Sequence, residues 1–133
     1  MDFIMLIGRI LLASTFVANG IAHLTNPGPT GFAQYKKVPA PALMTKLSGA
    51  LMLAGSLGFV LGIFGDLAAL LTAVLLLIMT VKMHDFWTIE DSQARQADMT
   101  GFFKNLSMIG GLLILTWVLS QQGTAYTITD GVL

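Results

Sequence analysis

Cysteine is absent from this chain, which excludes disulfide bonds, thiolate metal sites and dithiol–disulfide redox chemistry. Charge is also scarce, since charged residues make up 11% of the 133 residues, against about 25% in an ordinary globular protein. The formal net charge is zero, and neither a basic run nor a zinc-finger spacing occurs, so nucleic acid is not expected as a partner. A chain of this length is expected to form a single domain, residues 1–133.

The uncharged parts of the chain include long apolar segments. The hydrophobic fraction is 55% and the mean hydropathy is +0.78, which indicates an integral membrane protein. Four segments are suited to cross the ~30 Å hydrocarbon core of a bilayer as helices. Their predicted bounds are residues 3–24, 42–64, 67–83 and 101–120. The sequence therefore predicts an all-α fold, a four-helix transmembrane bundle with antiparallel neighbours, in contact with the lipid bilayer.

The connections between the segments set the topology. Residues 26–41 are expected to be a loop, within which a short interfacial helix remains open. Residues 90–100 are expected to be a polar loop, and no structure is predicted for the tail, residues 121–133. Asp66 lies in a tight turn and is a candidate N-cap of the third segment. Both termini and this turn thus share one membrane face, and the two loops share the other.

Lysine and arginine are divided unevenly between these faces. Six of the seven basic residues lie toward the two loops, and only Arg9 lies toward the termini. The positive-inside rule therefore places both loops in the cytoplasm and both termini outside.

Titratable and amide side chains gather where the segments meet the two loops, and all four segments contribute to this layer. Ionisable groups at membrane depth indicate a functional site with internal partners, and Asp85 is expected to pair with Lys104 or His23. Aromatic side chains are expected to wall the layer, namely Phe86, Trp87, Phe102 and Phe103. The candidate ligand-binding residues are His23, Lys46, His84, Asp85, Trp87, Phe103, Lys104 and Asn105, and Lys82 belongs to the same layer.

Ordinary structural roles compete with a ligand site at these positions. Lysine, tryptophan and phenylalanine populate the interface of many membrane proteins, and histidine or asparagine can serve as a helix–helix hydrogen-bonding group. Structural roles are favoured for Arg9, Asn19 and Asp66. Arg9 would snorkel or pair with Asp66, and a stripe of Arg9, Asn19 and His23 on the first helix should face protein.

Gly58 and Gly62 form a GxxxG pair, a spacing that lets helices approach closely. Packing within the bundle is the favoured interpretation, and a homo-oligomer through this face is the alternative.

No motif for catalysis or metal binding is present. Two histidines and one aspartate from separate helices are weak evidence for a metal site, and axial ligation of one haem by the two histidines has no other support. No serine lies in a nucleophile elbow beside a base. The sequence thus predicts no catalytic residue and no metal.

Four motifs, in this order, resemble those of the DoxX family. They are Gly8-Arg9 with Asn19-Gly20-Ile21-Ala22-His23-Leu24, the glycine-rich stretch 55–64, His84-Asp85-Phe86-Trp87, and Phe102-Phe103-Lys104-Asn105-Leu106. His23 stands where lysine is common in that family. The resemblance implies a multi-pass, four-helix protein of the bacterial inner (plasma) membrane, and its relatives include the small subunits of thiosulfate:quinone oxidoreductase. The fold is also similar to the vitamin K epoxide reductase bundle, whose dithiol mechanism the lack of cysteine excludes.

The leading hypothesis is an accessory subunit of a membrane oxidoreductase system that is not an enzyme on its own. It would bind a small ligand, with quinone as the candidate cofactor, or dock an oxidoreductase partner. One alternative is a small-solute transporter or permease, which would need a polar path through the midplane. The other is a purely structural assembly protein, in which the charged layer would be fully hydrogen-bonded and would enclose no cavity.

Overall fold

The computed structural model describes residues 1–133 and contains five α-helices and no strand. These are α1 (Asp2–Thr25), α2 (Pro27–Tyr35), α3 (Pro41–Leu61), α4 (Gly65–Met83) and α5 (Ser92–Ser120), with one 3-10 turn at Phe86–Thr88. Helices α1, α3, α4 and α5 belong to the four spans that are long and apolar enough to cross a membrane. The predicted all-α, four-helix transmembrane bundle is confirmed.

The spans pack in chain order, because α1 lies mainly on α3, α3 on α4 and α4 on α5. Helices α1 and α5 contact each other far less. Phe16, Phe59 and Leu112 are the largest apolar side chains fully buried between the helices, and the two phenylalanine rings meet edge to face. Many outward-facing side chains of the spans are large and hydrophobic, as expected of helices that face lipid.

Two glycines let α1 and α3 cross closely. A Cβ atom at Gly20 would lie 2.9 Å from the carbonyl oxygen of Gly49, and a Cβ atom at Gly49 would lie 2.9 Å from that of Gly20. A side chain at either position would push the helices apart. The crossing therefore fixes the end of α1 against the start of α3.

The connections at the loop face contain more helix than expected. The first holds α2, which begins after Asn26, whose side chain accepts the N–H of Gly28 at 3.0 Å. The second was predicted to be a loop over residues 90–100, and this is wrong from Ser92 onward. Asp91 is the N-cap of α5 and accepts the N–H of Ala94 at 2.8 Å, so a carboxylate cap starts the helix in a polar sequence.

The C-terminal tail, residues 121–133, folds back onto the α3–α4 turn. The N–H groups of Ile128 and Thr129 donate to the Gly62 carbonyl at 3.1 and 2.8 Å. Gly62 is the C-cap of α3 at φ 67, a left-handed conformation that favours glycine. The tail therefore closes the membrane face that carries both termini, called the tail face below; the opposite face is the loop face.

Both glycines of the GxxxG pair contact this chain itself. A Cβ atom at Gly58 would lie 2.8 Å from Cβ of Ala68 in α4, and one at Gly62 would lie 2.5 Å from Cα of Thr127 in the tail. The pair thus serves packing within the bundle, and a homo-oligomer through this face stays a prediction.

Candidate functional site: a basic cavity at the loop face

A cavity of about 390 Å³ lies at the loop face, between the four spans and α2. Its volume falls within the range of small-molecule sites, about 300–1,000 Å³, and 14 of its 24 lining residues are hydrophobic, so the wall is mainly apolar. Among the polar lining residues are four of the eight candidate residues, together with Asn19 and Lys82. The four are His23, His84, Lys104 and Asn105; Lys46, Asp85, Trp87 and Phe103 lie outside the lining.

The crossing of α1 and α3 places His23. This residue lies one turn after Gly20, and its Nδ1 is 2.9 Å from Oγ of Ser48 in α3. The Ser48 hydroxyl donates its single proton to the Thr45 carbonyl at 2.9 Å, so it accepts the N–H of His23 Nδ1. In the neutral ring this assignment leaves Nε2 as an acceptor.

His84 follows the last residue of α4 and packs its ring on α5. A Cβ atom at Gly101 would lie 3.1 Å from Nδ1 of His84, so a side chain there would be in tight contact with the ring and would displace it slightly. Nδ1 lies 3.0 Å from Oδ1 of Asp98, and this carboxylate orients the ring by accepting its N–H. Asp98 was missed because it fell in the expected polar loop. The sequence pattern that could have indicated its role is the spacing of Asp98, Gly101 and Asn105, which places the three residues on one face of a helix.

Asn105 joins α4 and α5 at the cavity. It is nearly buried, and its Nδ2 donates to Oγ1 of Thr80 at 3.1 Å. Thr80 in turn donates to the Leu76 carbonyl at 2.6 Å. Because α4 and α5 are antiparallel, this bond brings Lys104, one residue before Asn105, to about the same level as Lys82, two residues after Thr80.

The expected pairing of Asp85 with Lys104 or His23 is wrong. Lys36, at the end of α2, donates to Oδ1 of Asp85 at 2.5 Å. This ion pair ties α2, which lines one side of the cavity, to the α4–α5 connection. The sequence did not predict this ion pair, because residues 26–41 were expected to be a loop. The position of Lys36 follows from α2, and it cannot be inferred for a residue in a loop.

The side chains of Lys82 and Lys104 make neither a hydrogen bond nor an ion pair with the rest of the chain. No aspartate or glutamate lines the cavity, and its titratable groups are two lysines and two histidines. Asn19, expected to have a structural role, also lines the cavity and makes no side-chain hydrogen bond. The cavity therefore presents donors and positive charge that the chain itself leaves free.

The DoxX family model matches residues 4–85, more than half of the chain. The chain belongs to the DoxX family. With four apolar helices, it is a multi-pass membrane protein. No curated protein and no solved structure matches it. The family match covers α1 to α4 with His23 and His84, whereas Asp98, Lys104 and Asn105 follow it in α5.

The aromatic residues expected to wall the site of this DoxX family chain lie outside the cavity. Phe86, Trp87, Phe102 and Phe103 form their own cluster, with ring centroids 5.2 to 6.3 Å apart. Trp87 and Phe103 are 56% and 54% exposed, as suits side chains at the membrane interface. Lys46 is also exposed and donates to the Leu24 carbonyl at 3.3 Å, so it binds the end of α1 instead.

At the tail face, Arg9 and Asp66 are buried but do not form the expected ion pair. Arg9 donates to four backbone carbonyls, those of Phe59, Val60, Ala125 and Tyr126. Asp66 lies inside α4, whose N-cap is Phe64, so the expected N-cap role is also wrong. Its carboxylate accepts N–H groups from Leu67 at 2.8 Å, Val132 at 2.6 Å and Leu133 at 2.7 Å. Both side chains thus hold the tail in place.

Proposed function

We propose that this DoxX family member is an accessory membrane subunit that binds a small amphiphilic ligand in the loop-face cavity. A quinone is the proposed ligand class, and a membrane-associated oxidoreductase is the proposed partner. The observation that carries the proposal is the cavity itself, in which His84, Lys104 and Asn105 border an apolar interior. A quinone head group accepts hydrogen bonds at its carbonyl oxygens, while its ring and chain require apolar surroundings.

The polar groups near the midplane favour this proposal over a permease. The hydroxyls of Ser14, Ser56, Thr72 and Thr80 all donate to carbonyls of their own helices. Buried apolar side chains, including Phe59 and Leu112, lie between the cavity and the tail face. These features offer no continuous polar path for an ionic solute.

The free lysines favour it over a purely structural protein. An assembly protein would show a charged layer satisfied within the chain, whereas here a cavity remains and Lys82 and Lys104 lack partners. Within the proposal, the protein resides in the bacterial inner membrane with its loop face in the cytoplasm. The partner protein would dock there.

Binding of a short-chain benzoquinone to the protein in lipid nanodiscs tests the proposal. Titration calorimetry on Lys104→Ala and His84→Ala should show binding weakened by about tenfold each, since the first change removes a charge-assisted hydrogen-bond donor and the second removes a polar ring from the cavity wall. The helical content measured by circular dichroism should stay unchanged. Lys46→Ala is the matched control, because Lys46 lies at the same face outside the cavity. Equal affinity in the parent and both cavity variants would refute the proposal.

A further inference from the structure

The positive charges at the loop face are only partly neutralised. Lys36 has Asp85 as its ion-pair partner, and the Asp98 carboxylate accepts a hydrogen bond from the ring of His84. Lys82 and Lys104 lie at the same level of the cavity, and neither has a carboxylate partner. An ammonium group near the hydrocarbon region favours a negative partner, because charge at this depth is poorly solvated. The loop face thus contains a cavity with two unpaired cations and no anion.

The cavity continues into an apolar groove on the outer face of the bundle. Leu51, Leu75 and Ile78 line both the cavity and this groove. The groove follows the seam between α3 and α4, and 12 of its 15 lining residues are hydrophobic. From Leu51 to Leu61 it extends about 15 Å at ~1.5 Å per helical residue, about half of the ~30 Å hydrocarbon thickness.

We infer that the cavity and groove together bind a single-chain oxyanion amphiphile, such as a long-chain carboxylate. Its head group lies between Lys82 and Lys104, and its chain passes Leu51 and Ile78 into the α3–α4 seam. This inference rests on the proposed function only in taking the cavity as a ligand site; an oxyanion amphiphile would occupy that site in place of the neutral quinone.

Charge complementarity and size select this occupant over others. A neutral lipid would leave both ammonium groups unpaired, whereas an oxyanion accepts charge-assisted hydrogen bonds from them. A cavity of about 390 Å³ lies near the lower end of small-molecule sites, and the groove that shares its lining follows a single seam, between α3 and α4. Head group and groove therefore fit one chain and not the two chains of a phospholipid.

The test uses the protein in nanodiscs of zwitterionic phosphatidylcholine, so that no other anionic lipid competes. Scintillation proximity measures saturable binding of tritiated hexadecanoate against empty nanodiscs, with hexadecanol, acetate and a two-chain phosphatidate as competitors. Hexadecanoate should compete at least about tenfold better than hexadecanol, since a charge-assisted contact contributes about that factor. Acetate should not compete, because it lacks the chain, and phosphatidate should compete poorly.

Variants test the contacts of the ligand's head group and those of its alkyl chain separately. Lys82→Gln should weaken hexadecanoate binding about tenfold, and Lys46→Gln, a lysine outside the cavity, should leave it unchanged. Ala54→Phe places a ring in the lipid-facing groove, so it should weaken hexadecanoate binding and spare octanoate, whose chain is shorter.

The outcomes distinguish this inference from the proposed function. Equal competition by hexadecanol, or by phosphatidate, overturns the inference for charge or for chain number respectively. Competition by acetate alone would assign the lysines to a soluble anion and overturn it as well. Benzoquinone binding without saturable hexadecanoate binding overturns the inference and leaves the proposed function standing. Absence of binding by both ligands overturns both.

Discussion

Charged side chains at the two faces of the bundle differ in burial and in their hydrogen-bond partners. At the tail face, Arg9 and Asp66 are 1% and 0% exposed, and together they bind four carbonyls and three N–H groups. At the loop face, Lys82 and Lys104 are exposed beside a cavity and bind nothing in the chain. A buried charge with a full set of partners fixes one backbone arrangement, whereas a charge without partners is available to a ligand. Burial of charge alone thus does not mark a binding site in a membrane protein.

Replacement of Arg9 tests the structural side of this comparison and should have the largest effect. Arg9→Met keeps an apolar stem but leaves four carbonyls without their donor, and unpaired buried polar groups cost about 1–3 kcal/mol each. Some of these carbonyls will find water, so we expect the free energy of unfolding to fall by about 3 kcal/mol. Chemical unfolding in detergent measures this loss.

Arg95 provides the control for Arg9. It also donates to backbone carbonyls, those of Ile89 and Glu90, but it is exposed, so Arg95→Met should change stability by less than about 1 kcal/mol. Amide hydrogen exchange of the tail should accelerate in Arg9→Met alone. Equal stability of the two variants would show that the tail-face contacts contribute little.

Gly49→Ala tests whether the close packing of α1 on α3 is needed for ligand binding at the loop face. Its Cβ atom would lie 2.7 Å from Cβ of His23 and 2.9 Å from the Gly20 carbonyl oxygen, so α1 and α3 must separate. Overpacking of this kind costs about 1–3 kcal/mol. The His23–Ser48 hydrogen bond should lengthen with it, so stability and ligand binding should fall together, as measured by unfolding and by calorimetry.

Gly8 is the matched control on α1. Nothing lies within 4 Å of a Cβ atom built there, and alanine favours helix over glycine by up to about 1 kcal/mol. Gly8→Ala should therefore leave stability unchanged or raise it. If Gly49→Ala behaved in the same way, the close crossing of α1 and α3 would not be needed to position His23.

The sequence predicted the loop-face cavity better than the contacts that surround it. Apolar segments of membrane-spanning length identified the spans, and their antiparallel order brought His23, His84, Lys104 and Asn105 to one face. Hydropathy did not reveal that α5 begins at Ser92, because the first turns of that helix are polar and start from a local carboxylate cap. Asp98 was consequently assigned to a loop and its contact with His84 was missed.

The tail-face contacts could not be predicted for a different reason. Arg9 binds carbonyls of Ala125 and Tyr126, and Asp66 binds N–H groups of Val132 and Leu133. These partners are backbone atoms more than sixty positions away in the chain, so no residue type signals them. A charged pair at one membrane face suggested an ion pair, but each side chain found several backbone groups instead.

Asp66→Asn is a milder test of the tail face. The amide keeps the shape of the carboxylate but turns one of its acceptors into a donor, which then faces an N–H group of Leu67 or of the tail. We expect a loss of about 1–3 kcal/mol of stability and faster amide exchange at Val132 and Leu133. Ligand binding at the loop face should not change. Asp130→Asn is the control, because Asp130 is exposed and accepts only a long 3.5 Å bond from Gly123.

Lys36→Gln should have the smallest effect on stability. It tests whether the attachment of α2 retains the ligand in the cavity. The Lys36–Asp85 pair is partly exposed, with side chains 12% and 28% accessible, and such pairs contribute at most about 1 kcal/mol. Lys36 also lies 5.7 Å from the ring centre of Phe32, a residue of α2 that lines the cavity. Without the pair, α2 should exchange its amide hydrogens faster and release the ligand faster, while the bundle unfolds at an unchanged temperature.

The neighbouring lysine makes this last experiment specific. Lys37 is exposed and makes no ion pair, so Lys37→Gln removes the same charge from the same connection without freeing Asp85. Ligand dissociation in nanodiscs should be faster for Lys36→Gln than for Lys37→Gln. Equal rates would mean that net positive charge at the loop face, and not the attachment of α2 to the α4–α5 connection, retains the ligand. A lower unfolding temperature in Lys36→Gln would instead make the pair part of the fold, and the contrast between a fixed tail face and an adaptable loop face would no longer hold.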